Sequence, residues 1–150
     1  MKIKVKVLND KCIPQKKGDW YDLCSNEDIT YIKDDFKVIS LGIAMQLPKG
    51  YEALVIPRSS LFKNFGIIQT NSVGLIDNAY CGNEDIWKFP FLAFVSHSIA
   101  KGDRLCQFRI ILNQDASIWQ KLRYIFSKPK IVFVKELNNK NRNGFGSTGI

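Results

Sequence analysis

Histidine is scarce in this sequence, and cysteine is never clustered. His97 is the only histidine, and the four cysteines form no CxxC pair. Tetrahedral zinc sites, which need closely spaced cysteine and histidine ligands, are therefore excluded. A Ser-His-Asp arrangement is disfavoured because nothing around His97 indicates an activated nucleophile, so we expect a structural role for this residue. The thiols are expected to be reduced and mostly packed.

Long apolar runs are also missing. No stretch approaches the roughly 20 apolar residues that a membrane-spanning helix needs. The first residues alternate lysine with apolar side chains, unlike the continuous apolar stretch of a secretory signal. We therefore expect a cytoplasmic protein with no membrane association. With 150 residues, of which 45% are hydrophobic and 24% charged, the chain has the size and composition of one globular domain.

Positive charge is in excess, with a formal net charge of +8 at pH 7. Between Lys121 and Arg142, Glu136 is the only acidic residue among seven basic ones. Such charge suits the phosphates of a nucleotide or of a nucleic acid, and a solvated charged face is the structural alternative. The charge fits a triphosphate-binding enzyme and a general nucleic-acid-binding module equally well, and the second would show strongly salt-sensitive binding to single strands without nucleotide turnover.

Short segments with strand character recur along the chain, separated by Pro, Gly, Asn or Asp turns. One short helix is expected after Pro57, capped by Ser59 or Ser60 and ended by Gly66, with a weaker candidate at 117–124. The pattern predicts an all-β sandwich or barrel over residues 1–137 and a flexible polar arm over 138–150. The predicted strands cover residues 2–8, 36–47, 52–56, 65–69, 91–95, 104–112 and 131–137.

Two segments carry groups suited to phosphate. Arg58, Ser59 and Ser60 open the predicted helix, whose free N–H groups attract anions. Residues 144–149 match GxGxxG, in which backbone N–H groups can close around phosphate oxygens, but no helix follows, so a dinucleotide-binding fold is excluded. Phe145 lies between two glycines and suits stacking on a base. A plain helix cap and a disordered terminus are the structural alternatives.

A third segment, residues 71–82, predicts a β-hairpin from its glycines and asparagines. The main chain of such a hairpin can hydrogen-bond the edge of a base. Asp77 follows three apolar residues, a setting that can place its carboxylate at the mouth of a partly buried pocket, where it deprotonates a water. A turn-capping aspartate is the structural alternative.

Two more segments do not indicate a function when each is considered alone. Asp22 lies in a hydrophobic turn, where a structural hydrogen bond and assistance to a hydrated metal are equally reasonable. Gln107 follows the turn at Gly102 and Asp103 and offers an amide donor.

Five short motifs, taken in order, resemble those of the homotrimeric dUTP pyrophosphatases, or dUTPases. They are Asp-Leu at 22–23, PRSS at 57–60, GLIDNAYCG at 74–82, GDRLCQ at 102–107 and RNGFGSTG at 142–149. The similarity covers the chain from about residue 17 to residue 150. It implies a distorted jelly-roll β-sandwich, a homotrimer with shared active sites, and hydrolysis of dUTP to dUMP and pyrophosphate with Mg²⁺.

The resemblance also implies roles for individual residues. Asp77 is expected to orient the water that attacks the α-phosphorus, and Asp22 to contact Mg²⁺ only through water. Asn71 and its hairpin are expected to read uracil, Phe145 to stack on it, and Tyr80 to exclude a ribose 2′-hydroxyl. The arm, with Phe145, is expected to close over a neighbouring subunit's site. The full set of expected substrate-binding residues is Arg58, Ser59, Ser60, Asn71, Gly74, Ile76, Tyr80, Gln107, Arg142, Phe145, Gly146, Ser147 and Thr148.

The sequence departs from the family pattern at two places. Arg142 lies three residues before Phe145, where many relatives have five, and Lys140 occupies the more distant position. The loop 83–90 is also longer, and its Trp87 is expected either at a subunit contact or over the core.

Two related functions are alternatives to dUTP hydrolysis. A dCTP deaminase shares the fold and trimer, but it needs a proton-shuttling glutamate where this sequence has Asp77 and Tyr80. A regulatory dUTPase of phage type would act by binding a protein partner, with catalysis secondary.

Overall fold

The computed structural model describes residues 2–127 and 129–144, and it confirms an all-β fold of the distorted jelly-roll type. The helices in these ranges are α1 (Leu61–Phe65) and α2 (Ile118–Phe126), with a 3₁₀ turn at Asp10–Cys12. The strands are β1 (Lys2–Val7), β2 (Gln15–Lys17), β3 (Trp20–Cys24), β4 (Ile29–Tyr31), β5 (Phe36–Ser40), β6 (Ile43–Gln46), β7 (Tyr51–Pro57), β8 (Ile67–Gln69), β9 (Gly74–Ile76), β10 (Lys88–Ala93), β11 (His97–Ile99), β12 (Arg104–Leu112) and β13 (Lys130–Val134).

The strands form four sheets that enclose a common core. The largest has the order β2-β3-β12-β7-β9, with antiparallel neighbours throughout. The others have the orders β13-β1-β6, β5-β10-β8 and β11-β4, and β1 pairs with β13 in parallel. One cluster of buried side chains contacts all of these layers. Its largest fully buried members are Trp87, Tyr31, Tyr51, Phe89, Phe91 and Phe108.

Strand β1 shows how local alternation selects the buried face. Ile3 and Val5 are fully buried, whereas Lys2 and Lys4 are exposed. Successive side chains of a strand point to opposite faces, so one face packs on the core and the other is solvated. The prediction of a half-buried strand at 2–8 is confirmed.

The single strand predicted over 36–47 is wrong, because the chain turns between β5 and β6. Gly42 has a φ of +65°, and a Cβ there would lie 2.6 Å from the Cys12 Sγ and 2.9 Å from the Asn26 side chain. Both the left-handed conformation and the close packing require glycine. The Gly42 carbonyl accepts a hydrogen bond from the Leu8 N–H, which fastens this turn to the end of β1.

The two helices begin near the expected serines, but their caps differ. Ser60 occupies the N-cap of α1 without a side-chain hydrogen bond, and Gly66 ends the helix in the left-handed conformation. Ser117 caps α2 through a reciprocal capping box with Gln120. The α2 helix docks by polar contacts, since the Gln120 side chain donates to the Lys49 carbonyl at 2.6 Å, and its apolar side chains are exposed.

The loop that precedes β10 covers the core. Trp87 is fully buried, and its ring meets Phe108 edge-on with a centroid separation of 5.2 Å. Of the two expectations for Trp87, the core-covering one is therefore observed. Cys12, Cys24 and Cys106 are buried and Cys81 is half-buried, and all four thiols are free. Within residues 2–127 and 129–144, no helix has the length and apolar character needed to span a bilayer.

Candidate active site

A cleft of about 310 Å³ opens beside the edge strand β9. Six of the residues that the sequence singled out line it, although they are separated by up to 71 positions along the chain. Strand β9 and the turn after it supply one wall, and residues 142–144 of the arm supply the opposite one. The predicted residues in the cleft are Asn71, Gly74, Ile76, Asp77, Tyr80 and Arg142.

Gly74 allows β9 to lie close against β7. It pairs with Val55, and a Cβ at Gly74 would lie 3.2 Å from the Val55 Cβ. This distance is tighter than an ordinary carbon contact, so a larger residue would push β9 outwards. The glycine thus holds the main chain of β9 at the cleft. The β-hairpin predicted over 71–82 is wrong, because β9 pairs with the distant strand β7 and residues 77–82 form turns without a second strand.

Asn71 is oriented by Gln69, a residue that the sequence did not single out. The Gln69 Nε2 donates to the Asn71 Oδ1 at 2.8 Å and to the Val55 carbonyl at 3.2 Å. Because the Asn71 oxygen is engaged, its amide NH₂ is the group left to contact a ligand. Gln69 is buried and lines the cleft, and its bond to the Val55 carbonyl ties this local contact with Asn71 to strand β7.

Asp77 directly follows β9, and its two carboxylate oxygens have different partners. Oδ1 accepts hydrogen bonds from the N–H groups of Ala79 at 2.7 Å and Tyr80 at 3.3 Å. Oδ2 forms an ion pair with the guanidinium of Arg142. The turn-capping alternative is thus observed for one oxygen. The other oxygen is paired with Arg142, which also lines the cleft.

The environment of Asp77 has opposing effects on its ionisation. Burial raises the pKa of the carboxyl, but the hydrogen bond from Arg142, the N–H donors of the turn and the Arg142 charge together hold it below its ordinary value. The side chain of Asp77 is 46% exposed, so solvent screens the Arg142 charge. Asp77 is therefore a carboxylate throughout the neutral pH range.

Tyr80 forms a rigid side of the cleft. Its hydroxyl donates to the Ile86 carbonyl at 2.9 Å, and its ring packs against the core. Burial, and then the charge of Asp85, raise the pKa of Tyr80, so the hydroxyl stays protonated. Gly144 lies against this ring, where a Cβ would approach to 3.2 Å.

A second group of predicted residues lies on the middle strands of the same sheet and does not line the cleft. Gln107 on β12 pairs with Asp22 on β3 and with Ile56 on β7. The Asp22 Oδ2 contacts the Arg58 Nε at 3.4 Å and the Arg104 guanidinium at 3.1 Å. Asp22 is 3% exposed, so the two arginines neutralise a nearly buried carboxylate.

Ser59 and Ser60 belong with this second group. They follow Arg58 at the start of α1, and the Arg58 N–H is held by the Leu105 carbonyl on β12 at 3.1 Å. The described chain therefore presents two half-sites, one around Asp77 and one around Arg58 and Gln107.

The donors in the described residues do not form a direct metal site. No group of three or more His, Cys, Asp or Glu side chains in residues 2–127 and 129–144 is arranged to hold an ion. The Asp22 carboxylate is already paired with two arginines. These residues fit Mg²⁺ only as an ion that arrives with its own phosphate and water ligands.

The arm is described as far as Gly144. Arg142 lies beside Asp77 of the same chain, whereas Phe145, Gly146, Ser147 and Thr148 lie outside the described residues. Closure of the arm over a neighbouring subunit stays a prediction. His97 is an exposed residue of β11, and its ring lies 6.4 Å from that of Tyr31, outside the cleft.

Comparison with known proteins points to one family. The dUTPase family model matches residues 9–149. The SPbeta prophage-derived deoxyuridine 5'-triphosphate nucleotidohydrolase YosS of Bacillus subtilis (strain 168) is 46% identical over 152 residues, which cover 99% of this chain and 99% of the relative.

Solved structures show the same fold at lower identity. The dUTPase from Streptococcus mutans superposes with a TM-score of 0.67 at 19% identity, covering 74% of this chain and 93% of that one. A mutant dUTPase from phage phi11 of S. aureus, whose structure reveals a coordinated structural Mg(II) ion, gives a TM-score of 0.66 at 19% identity, covering 77% and 94%.

Proposed function

Since this chain belongs to the dUTPase family and is a dUTP diphosphatase, we propose that Asp77 activates the water that hydrolyses dUTP to dUMP and pyrophosphate. The observation that supports this most directly is the position of its carboxylate. Oδ1 is held by the turn, Oδ2 is paired with Arg142, and the residue lines the cleft together with Asn71 and Tyr80. A carboxylate held in this way can orient a water and accept its proton.

In the proposed reaction, Asp77 accepts a proton from the water as the water oxygen bonds to the α-phosphorus. The bond between the α-phosphorus and the oxygen bridging to the β-phosphorus breaks, and pyrophosphate leaves with that oxygen. The products are dUMP and pyrophosphate. The role of Asp77 is thus to supply a stronger nucleophile than neutral water.

Arg142 is proposed to exchange partners during this reaction. Without substrate it is paired with Asp77, which weakens the carboxylate as a base. A triphosphate bound at a neighbouring subunit's site carries more negative charge than one carboxylate and competes for the guanidinium as the arm closes there. Once Arg142 moves to the phosphates, burial acts on Asp77 without that opposing charge, and its pKa rises towards a value better suited to proton transfer.

The base and sugar are proposed to bind beside β9 and the turn that follows it. The Asn71 NH₂, oriented by Gln69, can donate to a carbonyl oxygen of uracil, whereas the amino group of cytosine would present a second donor. The Tyr80 ring is held in place by its hydroxyl and is suited to excluding a ribose 2′-hydroxyl by contact. Phe145 is proposed to stack on the base.

The division into two half-sites supports a shared active site. We propose that Arg58, Ser59, Ser60 and Gln107 bind the phosphates of a nucleotide whose base lies in the Asp77 cleft of an adjacent subunit. In this homotrimer, Gly146, Ser147 and Thr148 of the arm contact the γ-phosphate, and the arm closes over a neighbouring site.

Magnesium is proposed to bind with the nucleotide. Coordinated by the phosphate oxygens, it neutralises charge on the leaving pyrophosphate. Asp22 is the carboxylate proposed to contact its hydration shell, since the arginines beside it exclude a dedicated cage.

The substrate is tested with a panel of nucleotides. The purified protein is incubated with dUTP, dCTP, dTTP and UTP in the presence of Mg²⁺, and pyrophosphate and ammonia are measured. We expect pyrophosphate from dUTP alone. Ammonia from dCTP would support the deaminase alternative, and equal hydrolysis of UTP would contradict the role of Tyr80.

The pH dependence of kcat/KM follows from the direction of the Asp77 shift. The pKa of Asp77 in the free protein lies below its ordinary value, so the base stays ionised as pH falls from neutrality. The acidic limb of kcat/KM assigned to this group should therefore lie below the ordinary pKa of an aspartate side chain. Replacing Arg142 by glutamine removes the charge that lowers the pKa, and the limb should move to higher pH. If the acidic limb of kcat/KM lies at the same pH in the Arg142→Gln variant as in the wild type, a group other than Asp77 controls it.

A further inference from the structure

The polar side of α2 is the side that faces the protein. The Gln120 Nε2 donates to the Lys49 carbonyl at 2.6 Å, and the Gln120 carbonyl accepts a hydrogen bond from the Tyr51 hydroxyl at 3.1 Å. One turn later, the Tyr124 hydroxyl donates to the Ile110 carbonyl at 3.4 Å. The helix is thus attached through one side, and none of its residues is buried.

The opposite side of α2 is apolar and exposed. Its side chains recur three and four residues apart, which puts them on one face of the helix. They are between 39% and 83% exposed, and they are Ile118, Trp119, Leu122, Ile125 and Phe126. An amphipathic helix of a globular protein normally turns such a face to the core. Here the face points to solvent, which marks it as a contact site for another molecule.

Positive charge borders this apolar face. At 3.6 residues per turn, Lys121 and Arg123 fall on its two edges, and both are exposed. Residues 116–135 contain five basic residues and no acidic one. A basic helix with an apolar face is typical of contacts with membrane surfaces and with partner proteins. The occupant must therefore combine an apolar interior with negative charge at its surface.

A second copy of the same helix fits these requirements poorly. Two α2 faces in contact would bring Lys121 and Arg123 of both copies together, in a chain whose formal net charge is already +8. Like charges brought together at an interface oppose association. A single-stranded nucleic acid would neutralise the basic residues, but it binds aromatic side chains by stacking, and three of the five apolar residues are aliphatic. Both alternatives leave part of the face without a matching group.

An anionic lipid surface matches both parts of the face. Aliphatic and aromatic side chains can enter the boundary between headgroups and acyl chains, where tryptophan is favoured. Lysine and arginine side chains at the edges reach the headgroup phosphates. We propose that α2 is an interfacial helix, which attaches this protein reversibly to a membrane surface that carries anionic lipids. The expectation of no membrane association came from the lack of long apolar runs, which a helix lying on the membrane does not need.

The first test is co-sedimentation of the purified protein with lipid vesicles. Vesicles of phosphatidylcholine mixed with phosphatidylglycerol should carry the protein into the pellet, whereas vesicles of phosphatidylcholine alone should leave most of it in the supernatant. Binding should weaken as salt is raised, because ions screen the attraction to the headgroups. Absence of binding to the anionic vesicles at low salt would overturn the proposal, and so would equal binding to both kinds of vesicle.

The apolar face is tested with Ile125→Ser and Phe126→Ser combined in one variant. Both side chains are largely exposed, so the fold should be unaffected, while the apparent Kd for anionic vesicles should rise at least about tenfold. The control is Ile32→Ser with Phe36→Ser, a pair of comparable exposure outside α2, which should bind vesicles like the wild type. Equal losses in the two double variants would mean that α2 does not make the contact.

The basic edges are tested with Lys121→Gln and Arg123→Gln together. Each basic residue near an anionic surface contributes about fivefold to binding, so this pair should weaken binding by about 10- to 30-fold. Lys2→Gln with Lys4→Gln removes the same charge from the exposed side of β1 and serves as the control. If this control loses as much binding, net charge alone explains the attraction and the proposal is wrong.

Tryptophan fluorescence locates the contact. Trp119 is exposed and Trp87 is fully buried, so a blue shift of the emission on adding anionic vesicles should come from Trp119 and disappear in Trp119→Phe. A blue shift that persists in this variant would place the contact elsewhere on the protein and contradict the proposal.

Two further measurements distinguish other occupants of the face. If light scattering without vesicles shows that the α2 double variants lower the mass of the assembly, a second copy covers the face and the proposal is overturned. If a single-stranded oligonucleotide binds through Lys121 and Arg123 whereas vesicles do not bind, α2 contacts a nucleic acid instead. Vesicle binding through α2 by a protein that does not hydrolyse dUTP would support this proposal and refute the proposed function alone.

Discussion

Replacing Asp77 by asparagine should lower kcat for dUTP by about a hundredfold to ten-thousandfold, the range attributed to a general base. The asparagine oxygen can still accept the N–H groups of Ala79 and Tyr80, so the turn after β9 should keep its shape. Nucleotide affinity should therefore change little. Steady-state turnover and calorimetric binding of a non-hydrolysable dUTP analogue measure the two quantities separately.

The control for this change is Asp115→Asn, because it removes one negative charge, as Asp77→Asn does, but at an exposed position in a turn. Both variants should unfold within a few degrees of the wild type in thermal melts. If the Asp77 variant keeps more than a tenth of the wild-type kcat, another group must activate the water. A large loss of affinity with unchanged kcat would instead make Asp77 a binding residue.

Removing residues 139–150 should leave a folded protein, in the proposed trimer, whose activity is reduced by at least about a hundredfold, since Arg142 and Phe145, the residue proposed to stack on the base, are lost together. The cut leaves Leu137, which is 1% exposed, and every strand of the sheets in place. It removes two of the three backbone N–H groups that donate to the buried Asp85 carboxylate, so the loop 81–86 should become more mobile while the core does not. Activity assays and size-exclusion chromatography with light scattering test both parts.

A shorter deletion, of residues 145–150, keeps Arg142 and the hydrogen bonds of residues 142 and 143 to Asp85. It therefore measures the contribution of residues 145–150 alone. Mixing the longer deletion with Asp77→Asn then identifies which site the arm serves. One partner supplies an intact Asp77 and the other an intact arm, so recovered turnover supports exchange between subunits. Full activity in the longer deletion by itself would remove the arm from the mechanism.

Much of the fold could be predicted because strand signals are local. The alternation in β1 and the long apolar pattern of β12 each lie in one short stretch of sequence. The break at Gly42 could not be predicted, since its cause is the packing of Cys12 and Asn26 from distant parts of the chain. The short strands β2, β4 and β11 were also missed, because three residues are too few to show a period. Strand β3 was missed as well, since the sequence indicated a turn around Asp22.

The candidate site also combines features that the sequence predicted with features that it did not predict. The sequence predicted Asp77, Asn71, Tyr80 and Arg142 as members of one site, and the fold brings all four to one cleft. The resemblance already implied an active site shared between subunits, with Gln107 acting from a neighbouring one, and Gln107 does lie outside the cleft. The position of Asp22 between two arginines was not predicted, because it depends on strand order, which no single motif contains.

What the sequence alone determined is the family and the chemical groups available to it, because short motifs and strand alternation are properties of neighbouring residues. Tertiary structure alone decided which of these groups meet. The Gln69 amide meets the Val55 carbonyl of β7 across 14 positions of sequence, and the Asp85 carboxylate meets the Arg142 N–H across 57. A buried carboxylate must find its donors wherever the folded chain presents them, and nothing in the local sequence records where that will be.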